Sequence, residues 1–431
     1  MSKQIKNNQL YLGGVSALCL AKEYGTPLYV MDEEVITDAM HLYTDTLKQG
    51  YGGHGLVCYA SKAFACKEIF RLAKTHGLGI DVVSGGELHT ALAAGFDMSK
   101  VCFHGSNKST EELKLAVKNK VGRIIVDNLD ELENIKSIIN CNKSTYAETS
   151  GIGIMLRIKP GVTGDTHSHI KTGQVDSKFG FCADDAAATV KAALGITGIN
   201  ILGLHCHIGS QIFESKPFIS AAQIMIELLC KINKETGAEL SELNLGGGFG
   251  VSYTSDTAPM DFKACLYNIF DAVKTTCTKN GVTPPFLILE PGRSVVAAAG
   301  TTLYSVGNIK EIPSVRTYLS IDGGMCDNPR YILYEAKYEM ALANKISQPK
   351  NKVYTIAGKC CESGDLIGEN IPLQEAKKND ILAVFNTGAY NFSMFSNYNR
   401  TLRPAVIMVK GGKSRIIVKR ETYARLIEDD I

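Results

Sequence analysis

Leu56-Val57-Cys58-Tyr59-Ala60-Ser61-Lys62 is an apolar, strand-like run that closes on a lysine. Seven further short runs rich in β-branched and apolar residues follow it, at 79–84, 101–106, 123–127, 153–158, 201–208, 239–248 and 286–293. Between them lie stretches with helical periodicity, such as Lys67-Glu68-Ile69-Phe70-Arg71-Leu72-Ala73-Lys74 and the apolar-rich segment 221–229. Strands alternating with helices imply right-handed crossovers and a parallel sheet, and eight such units predict a closed (β/α)8 barrel. An open doubly wound sheet is the alternative. The chemically unusual residues fall at the carboxyl ends of the runs, where barrel active sites assemble, and this favours the barrel.

After about residue 295 the pattern changes to strands without long helices between them, at 301–309, 316–321, 352–357, 380–385, 403–409 and 414–419. This predicts a mainly antiparallel β-domain. The expected organisation is an N-terminal segment 1–32, a barrel 33–295 and a C-terminal β-domain 296–431. At 431 residues the chain exceeds one ordinary core, in keeping with such a division.

Composition narrows the function. A chain that is 45% hydrophobic and 21% charged with a formal net charge of +2 reads as a soluble globular protein. It gives no electrostatic reason to expect nucleic acid or an anionic membrane as partner. No apolar stretch approaches the roughly 18 to 20 residues that span a bilayer, and the polar start lacks a signal-peptide core, so a cytoplasmic location is expected. The 13 cysteines are scattered, several inside strand-like runs (Cys58, Cys102, Cys206), which predicts reduced and mostly buried thiols. Cys360-Cys361 has no second pair at zinc-ribbon spacing, and no structural metal is expected.

A lysine closing a strand can form a Schiff base with a carbonyl cofactor. Four other segments give that reading company: Leu204-His205-Cys206-His207-Ile208-Gly209-Ser210-Gln211, Leu245-Gly246-Gly247-Gly248-Phe249-Gly250, Glu290-Pro291-Gly292-Arg293 and Cys361-Glu362-Ser363-Gly364-Asp365. Consecutive glycines let backbone N–H groups approach an oxyanion, and with Gly292 and Arg293 ending the next run they fall at a barrel's usual phosphate site after strands seven and eight. Glu290 ends the run Phe286-Leu287-Ile288-Leu289, where a buried carboxylate needs a partner such as a protonated pyridinium nitrogen. His205 and His207, two apart on one run, are expected to face the same side. They would suggest a metal, but no third ligand stands at helpful spacing.

Taken together, these segments resemble the alanine-racemase-like (fold type III) pyridoxal-phosphate decarboxylases, over roughly residues 20 to 420. The resemblance makes Lys62, in Tyr59-Ala60-Ser61-Lys62-Ala63, the Schiff-base lysine, with Phe64 standing where the family often has Asn. It implies pyridoxal 5'-phosphate as cofactor, with Gly247, Gly248, Gly292, Arg293, Ser210 and Tyr390 toward the phosphate and Glu290 on the ring nitrogen. It lays His207 against the ring face and leaves His205 as an interior histidine. Arg157 matches a family arginine near the ring hydroxyl, although an ordinary ion pair also fits, and Asp81 has a similar status.

Asp327-Asn328-Pro329-Arg330-Tyr331-Ile332-Leu333-Tyr334-Glu335 resembles the segment with which one branch of the family holds a distal carboxylate. Arg293, Arg330 and Tyr334 would form that clamp. Arginine suits it, since a planar, permanently charged fork meets a carboxylate bidentately. Cys361 and Glu362 match a segment that the family inserts across a homodimer interface to complete a shared site, the cysteine as proton donor and the glutamate on the distal ammonium. The implied reaction is decarboxylation of meso-2,6-diaminoheptanedioate to L-lysine and CO2, with Cys361 or Lys62 returning the proton. Ornithine, arginine or carboxynorspermidine decarboxylases and an amino-acid racemase are the competitors on this fold. A non-catalytic pyridoxal-phosphate carrier is a further reading, but its usual small chain lacks the β-domain and Cys361.

Overall fold

The structure, a computed structural model, describes residues 3–141, 151–162 and 177–431. Its contacts divide the chain into two compact units, one of residues 40–250 and 259–292 and one of residues 1–39, 251–258 and 293–431. The chain leaves the second unit and returns to it twice, so segment 251–258 belongs with the β-rich unit although it lies between barrel strands in sequence.

Eight parallel strands form the first unit: β1 (Gly55–Ala60), β2 (Gly79–Val82), β3 (Val101–Phe103), β4 (Arg123–Val126), β5 (Ile152–Lys159), β6 (Ile199–His205), β7 (Glu242–Asn244) and β8 (Phe286–Leu289). Each pairs with its neighbour in sequence, and β8 pairs with β1, which closes the barrel. A short strand, Phe181–Cys182, adds in parallel to the end of β5. Cys58, Cys102, Ile125, Met155 and Ile288, from five different strands, pack as one interior cluster. The Cys58 and Cys102 sulfurs lie 3.8 Å apart there. The barrel is thus a filled core, as its strand number requires. Seven of the 13 cysteines are buried and all are free thiols.

All the strands but β5 are shorter than the sequence runs suggested, and the difference places the chemistry. Lys62 lies on a 3-10 turn, Ser61–Ala63, immediately after β1. β6 ends at His205, so strand alternation does not govern His207, which stands in the following loop. The glycines 246–248 and Glu290 to Arg293 likewise lie beyond β7 and β8. Polar and glycine residues that continue an apolar run carry the chain out of the ladder into the loops that bear function. The loops are anchored by capped helices: Ser84 caps Gly85–Ala93, and Ser109 with Glu112 forms a capping box on Thr110–Lys118.

In the second unit a long strand, Gly300–Ile312, is central. It pairs antiparallel with Leu28–Asp32, Ile381–Phe385 and Arg316–Ile321. Leu28–Asp32 also runs parallel to Ala405–Lys410, and Arg316–Ile321 parallel to Lys352–Ala357, so the sheet is mixed although most pairings are antiparallel. The strand Leu28–Asp32, which ends the N-terminal segment 1–32, therefore belongs to this sheet. Leu20, Leu28, Val30, Leu303, Ile407 and Val409 are buried together in its core. Leu366–Leu373 is a strand that the sequence pattern did not announce. Its Gly368, Asn370 and Pro372 are residues that strands usually avoid, and its pairing with Lys352–Ala357 shifts register.

Candidate functional site

The carboxyl ends of the barrel strands converge on one cavity of about 500 Å3. Lys62, His104, Arg157, His205, His207 and Glu290 are among its lining residues. The Lys62 side chain is 42% exposed, and its Nζ stands 3.9 Å from Oδ2 of Asp81, which is buried on β2. An amine held beside a carboxylate yet open to a cavity is placed to meet a carbonyl there.

Glu290, only 5% exposed, is the best-held group. Its Oε1 accepts from Asn244 Nδ2 at 2.6 Å and lies 2.7 Å from His104 Nε2. Its Oε2 lies 3.4 Å from His205 Nε2. Burial alone would raise its pKa, but His104 and His205 outweigh burial and hold the carboxyl well below the ordinary range. Burial pushes His205 down to about 3, opposed in part by Glu290, so its ring is neutral. Oε1 therefore has two close partners, whereas Oε2 keeps capacity for a further donor. His104, His205 and Glu290 have metal-ligand chemistry and cluster tightly. The 2.7 Å between His104 and Glu290 is nevertheless a hydrogen-bond distance, shorter than the roughly 3.3 Å between two ligands of a tetrahedral zinc ion.

His207 follows β6, and burial, then the Lys62 and Arg157 charges, hold its pKa well below the usual histidine value. A neutral ring suits stacking on an electron-poor heterocycle. Gly247 N–H approaches its Nδ1 at 3.4 Å. Gly246 and Gly248 have φ of 65° and 113°, and a Cβ on Gly248 would come within 2.2 Å of the Gly209 carbonyl. Only glycine permits this turn, in which the Gly246 N–H is taken by Asn244 Oδ1 and the backbone of Gly247 and Gly248 can be approached closely by an anion. Ser210 is partly buried in the adjoining loop, and Gly292 packs against Ala60. Arg157, on β5, lies 4.0 Å from Asp127 and over the Phe179 ring at 4.2 Å, so it has the ion pair that its sequence also allowed.

These features fit pyridoxal phosphate. They supply an amine, a glycine turn for an anion, a neutral ring and a buried carboxylate whose Oε2 awaits a donor. Among the described residues, buried Asp81 Oδ1 and Asp127 Oδ1 accept no hydrogen bond.

The β-rich unit carries a separate cationic cluster. Arg330 is 5% exposed, donates to Tyr338 Oη at 2.8 Å and lies 5.0 Å from the Tyr253 ring centre. Arg293 is buried, donates to Tyr253 Oη at 2.8 Å and lies 4.6 Å from the Tyr390 ring. Burial raises the Tyr253 pKa, but the two arginines outweigh it and leave the phenol lowered. Tyrosine hydroxyls thus accept from both guanidinium groups. Tyr334, expected in the clamp, is partly buried on the short helix Arg330–Tyr334, while Tyr338 and Tyr253 make the contacts with Arg330. Tyr390 adopts φ of 62°, a costly conformation for an aromatic residue and one found at ligand sites.

Cys361 and Glu362 are exposed at the tip of a loop. Buried Asp365 fixes the loop's base by accepting the N–H groups of Met325 at 2.6 Å and Cys360 at 2.7 Å. His104, Asn244, Tyr253 and Tyr338 escaped the sequence reading. His104 alone had a signal, since it directly follows the β3 run as Lys62 closely follows β1.

The family described as "Pyridoxal-dependent decarboxylase, pyridoxal binding domain" matches residues 34–297. A diaminopimelate decarboxylase of Bacillus subtilis (strain 168) is 46% identical, covering 100% of this chain and 97% of that protein. A crystal structure of diaminopimelate decarboxylase from M. jannaschii superposes with a TM-score of 0.91 at 36% identity, covering 100% of this chain and 98% of that one. The same enzyme in complex with L-lysine gives 0.89, with the same identity and coverage.

Proposed function

The chain belongs to the diaminopimelate decarboxylases of the pyridoxal-dependent decarboxylase family, and from that membership we propose how its residues convert meso-2,6-diaminoheptanedioate to L-lysine and CO2. The observation that carries the reading is Glu290, a buried carboxylate held ionised by histidine and asparagine neighbours in a cavity that also exposes a lysine. Pyridoxal phosphate, when bound, supplies an electron sink for the pair left behind when the bond from Cα to the carboxylate breaks.

The residues do the rest. Lys62 would hold the cofactor's aldehyde carbon through Nζ. Glu290 Oε2 accepts the ring N–H and so keeps the ring cationic. The N–H groups of Gly247 and Gly248, with Ser210 and Tyr390, would bind the phosphate, and the neutral His207 ring would cover one ring face. Arg293 and Arg330 take the distal carboxylate, the one that lysine retains. A substrate without that carboxylate leaves the buried Arg330 charge without its anion, which penalises ornithine.

The active species is a homodimer in the cytoplasm, with Cys361 of the partner subunit delivering its Sγ proton to Cα and Glu362 of the partner subunit receiving the distal ammonium. The exposure of both side chains at a fixed loop tip supports this assignment.

The deciding experiment offers purified protein meso-diaminopimelate, L-ornithine and L-lysine side by side and measures CO2 release. Diaminopimelate should be preferred by at least two orders of magnitude. Preferential turnover of ornithine would transfer the chain to the polyamine-forming decarboxylases.

A further inference from the structure

Four side chains, Lys62, Asp81, His104 and Glu290, form a line at the carboxyl ends of the barrel strands, the last three of them buried. Asp81 Oδ2 lies 3.9 Å from Lys62 Nζ, and Asp81 Oδ1 lies 3.7 Å from His104 Nε2. The same His104 Nε2 lies 2.7 Å from Glu290 Oε1. The first two separations are too long for hydrogen bonds and within the range of charge pairing, whereas the third is a hydrogen bond. His104 itself is 5% exposed, and its ring packs edge-on against the His205 ring at 4.8 Å.

We propose that His104 is a positioning residue that couples the two ends of the bound cofactor, setting the proton affinity at Lys62 through Asp81 while it holds Glu290 for the ring nitrogen. The inference rests on the assignment of Lys62 and Glu290 made above. Two buried carboxylates face one nitrogen of the His104 ring, which stands between them. Without it their repulsion leaves one to take up a proton. Asp81 is the one that yields. Burial raises its pKa and Glu290 raises it further, while His104, Lys62 and Arg157 oppose the rise. Glu290 keeps Asn244 Nδ2 as a second donor, whereas Asp81 Oδ1 accepts no hydrogen bond.

The charged and titratable groups around His104 are therefore Asp81, Glu290 and His205, with Lys62 and Arg157 beyond them. His205 is neutral, so the imidazole of His104 is the group able to balance the two acids directly. Loss of the His104 ring from between the two acids neutralises Asp81 and removes the anion beside Lys62. The nitrogen joining Lys62 to the cofactor then loses its proton more readily.

Absorbance–pH titration of the holoenzyme reads that nitrogen directly and does not depend on turnover. In His104→Phe the titration midpoint should fall by about one pH unit or more, a tenfold loss of proton affinity. Asp81→Asn should reproduce the fall, and the double variant should add little to either single change, since both act on one link. His104→Gln keeps a donor for Glu290 without the ring that reaches Asp81. It should retain wild-type affinity for pyridoxal phosphate added to apoprotein, yet show the lowered midpoint. Should His104→Phe fail to fold, His104→Gln and Asp81→Asn carry the test. A midpoint within about 0.3 unit of wild type in His104→Gln, or additive shifts in the double variant, overturns the coupling. Borohydride reduction of the wild type followed by peptide mapping separates this from failure of the functional reading. Label on a lysine other than Lys62 refutes the functional reading, whereas label on Lys62 with unmoved midpoints refutes only the role of His104.

Discussion

Asn244 donates from Nδ2 to Oε1 of Glu290 at 2.6 Å, while its own Oδ1 accepts the N–H of Gly246 at 2.9 Å. One fully buried side chain thus ties the carboxylate assigned to the ring nitrogen to the glycine turn assigned to the phosphate. Two contacts on opposite ends of a ligand are held in fixed register.

Asn244→Ala breaks both links at once. A hydrogen bond to a charged group contributes about 1.5 to 3 kcal/mol, so affinity for pyridoxal phosphate should fall roughly 10- to 100-fold. Titrating apoprotein with the cofactor measures this. Unchanged affinity would show that the turn keeps its shape without the asparagine.

Why Asn244 escaped the sequence reading is physical. Lys62, Glu290 and the glycines 246–248 were legible because each breaks an apolar pattern at the end of a strand, where a charged or achiral residue needs a reason. Asn244 ends β7 as a neutral side chain, and its role depends on Glu290, 46 residues away in sequence. Tyr253 and Tyr338 were hidden for a similar reason: an aromatic residue is usual in a core, and only the fold shows their hydroxyls on Arg293 and Arg330. The eight barrel strands were legible in number and order. Their ends were not, because the apolar character runs on past the last ladder hydrogen bond.

The pH response of stability should carry a mark from Asp327. Its carboxyl accepts from Tyr304, and burial first, with Asp322 and Asp365 adding, pushes its pKa up to about 7. Between about pH 4 and pH 7 the folded protein therefore keeps a proton that the unfolded chain releases. The stability associated with that proton is complete below about pH 4 and is lost as pH rises toward 7, with a slope of at most about 1.4 kcal/mol per pH unit. Asp327→Asn should raise Tm relative to wild type at pH 8, and the gain should disappear near pH 4. Thermal unfolding of both proteins across this range checks the sign. A constant difference at all pH values would mean that Asp327 stays ionised when folded.

Exchange between inactive variants tests the shared site. Lys62→Ala and Cys361→Ala subunits mixed in equal amounts should give about half heterodimers, each with one intact pair. Recovery should approach about one quarter of wild-type turnover. No recovery despite subunit exchange shown by native mass spectrometry would place both groups in one subunit.

Selectivity rests on Arg330. Its guanidinium lies 5.0 Å from the Tyr253 ring centre, donates to Tyr338, and is buried without a carboxylate against it among the described ion pairs. Such a cation needs an anion from the ligand. Removing one partner of a desolvated charged pair commonly costs about 2 to 5 kcal/mol, so Arg330→Ala should lower kcat/KM for diaminopimelate by roughly 30-fold or more. Ornithine has no second carboxylate, and its slow turnover should change little. The ratio of the two kcat/KM values is therefore the diagnostic, because a general loss of folding lowers both together. The cofactor absorbance should also be retained, since Arg330 is assigned to the substrate and not to the cofactor. Equal losses for the two substrates would remove Arg330 from the clamp and leave Arg293, held by Tyr253 and Tyr390, as the anchor of the distal carboxylate.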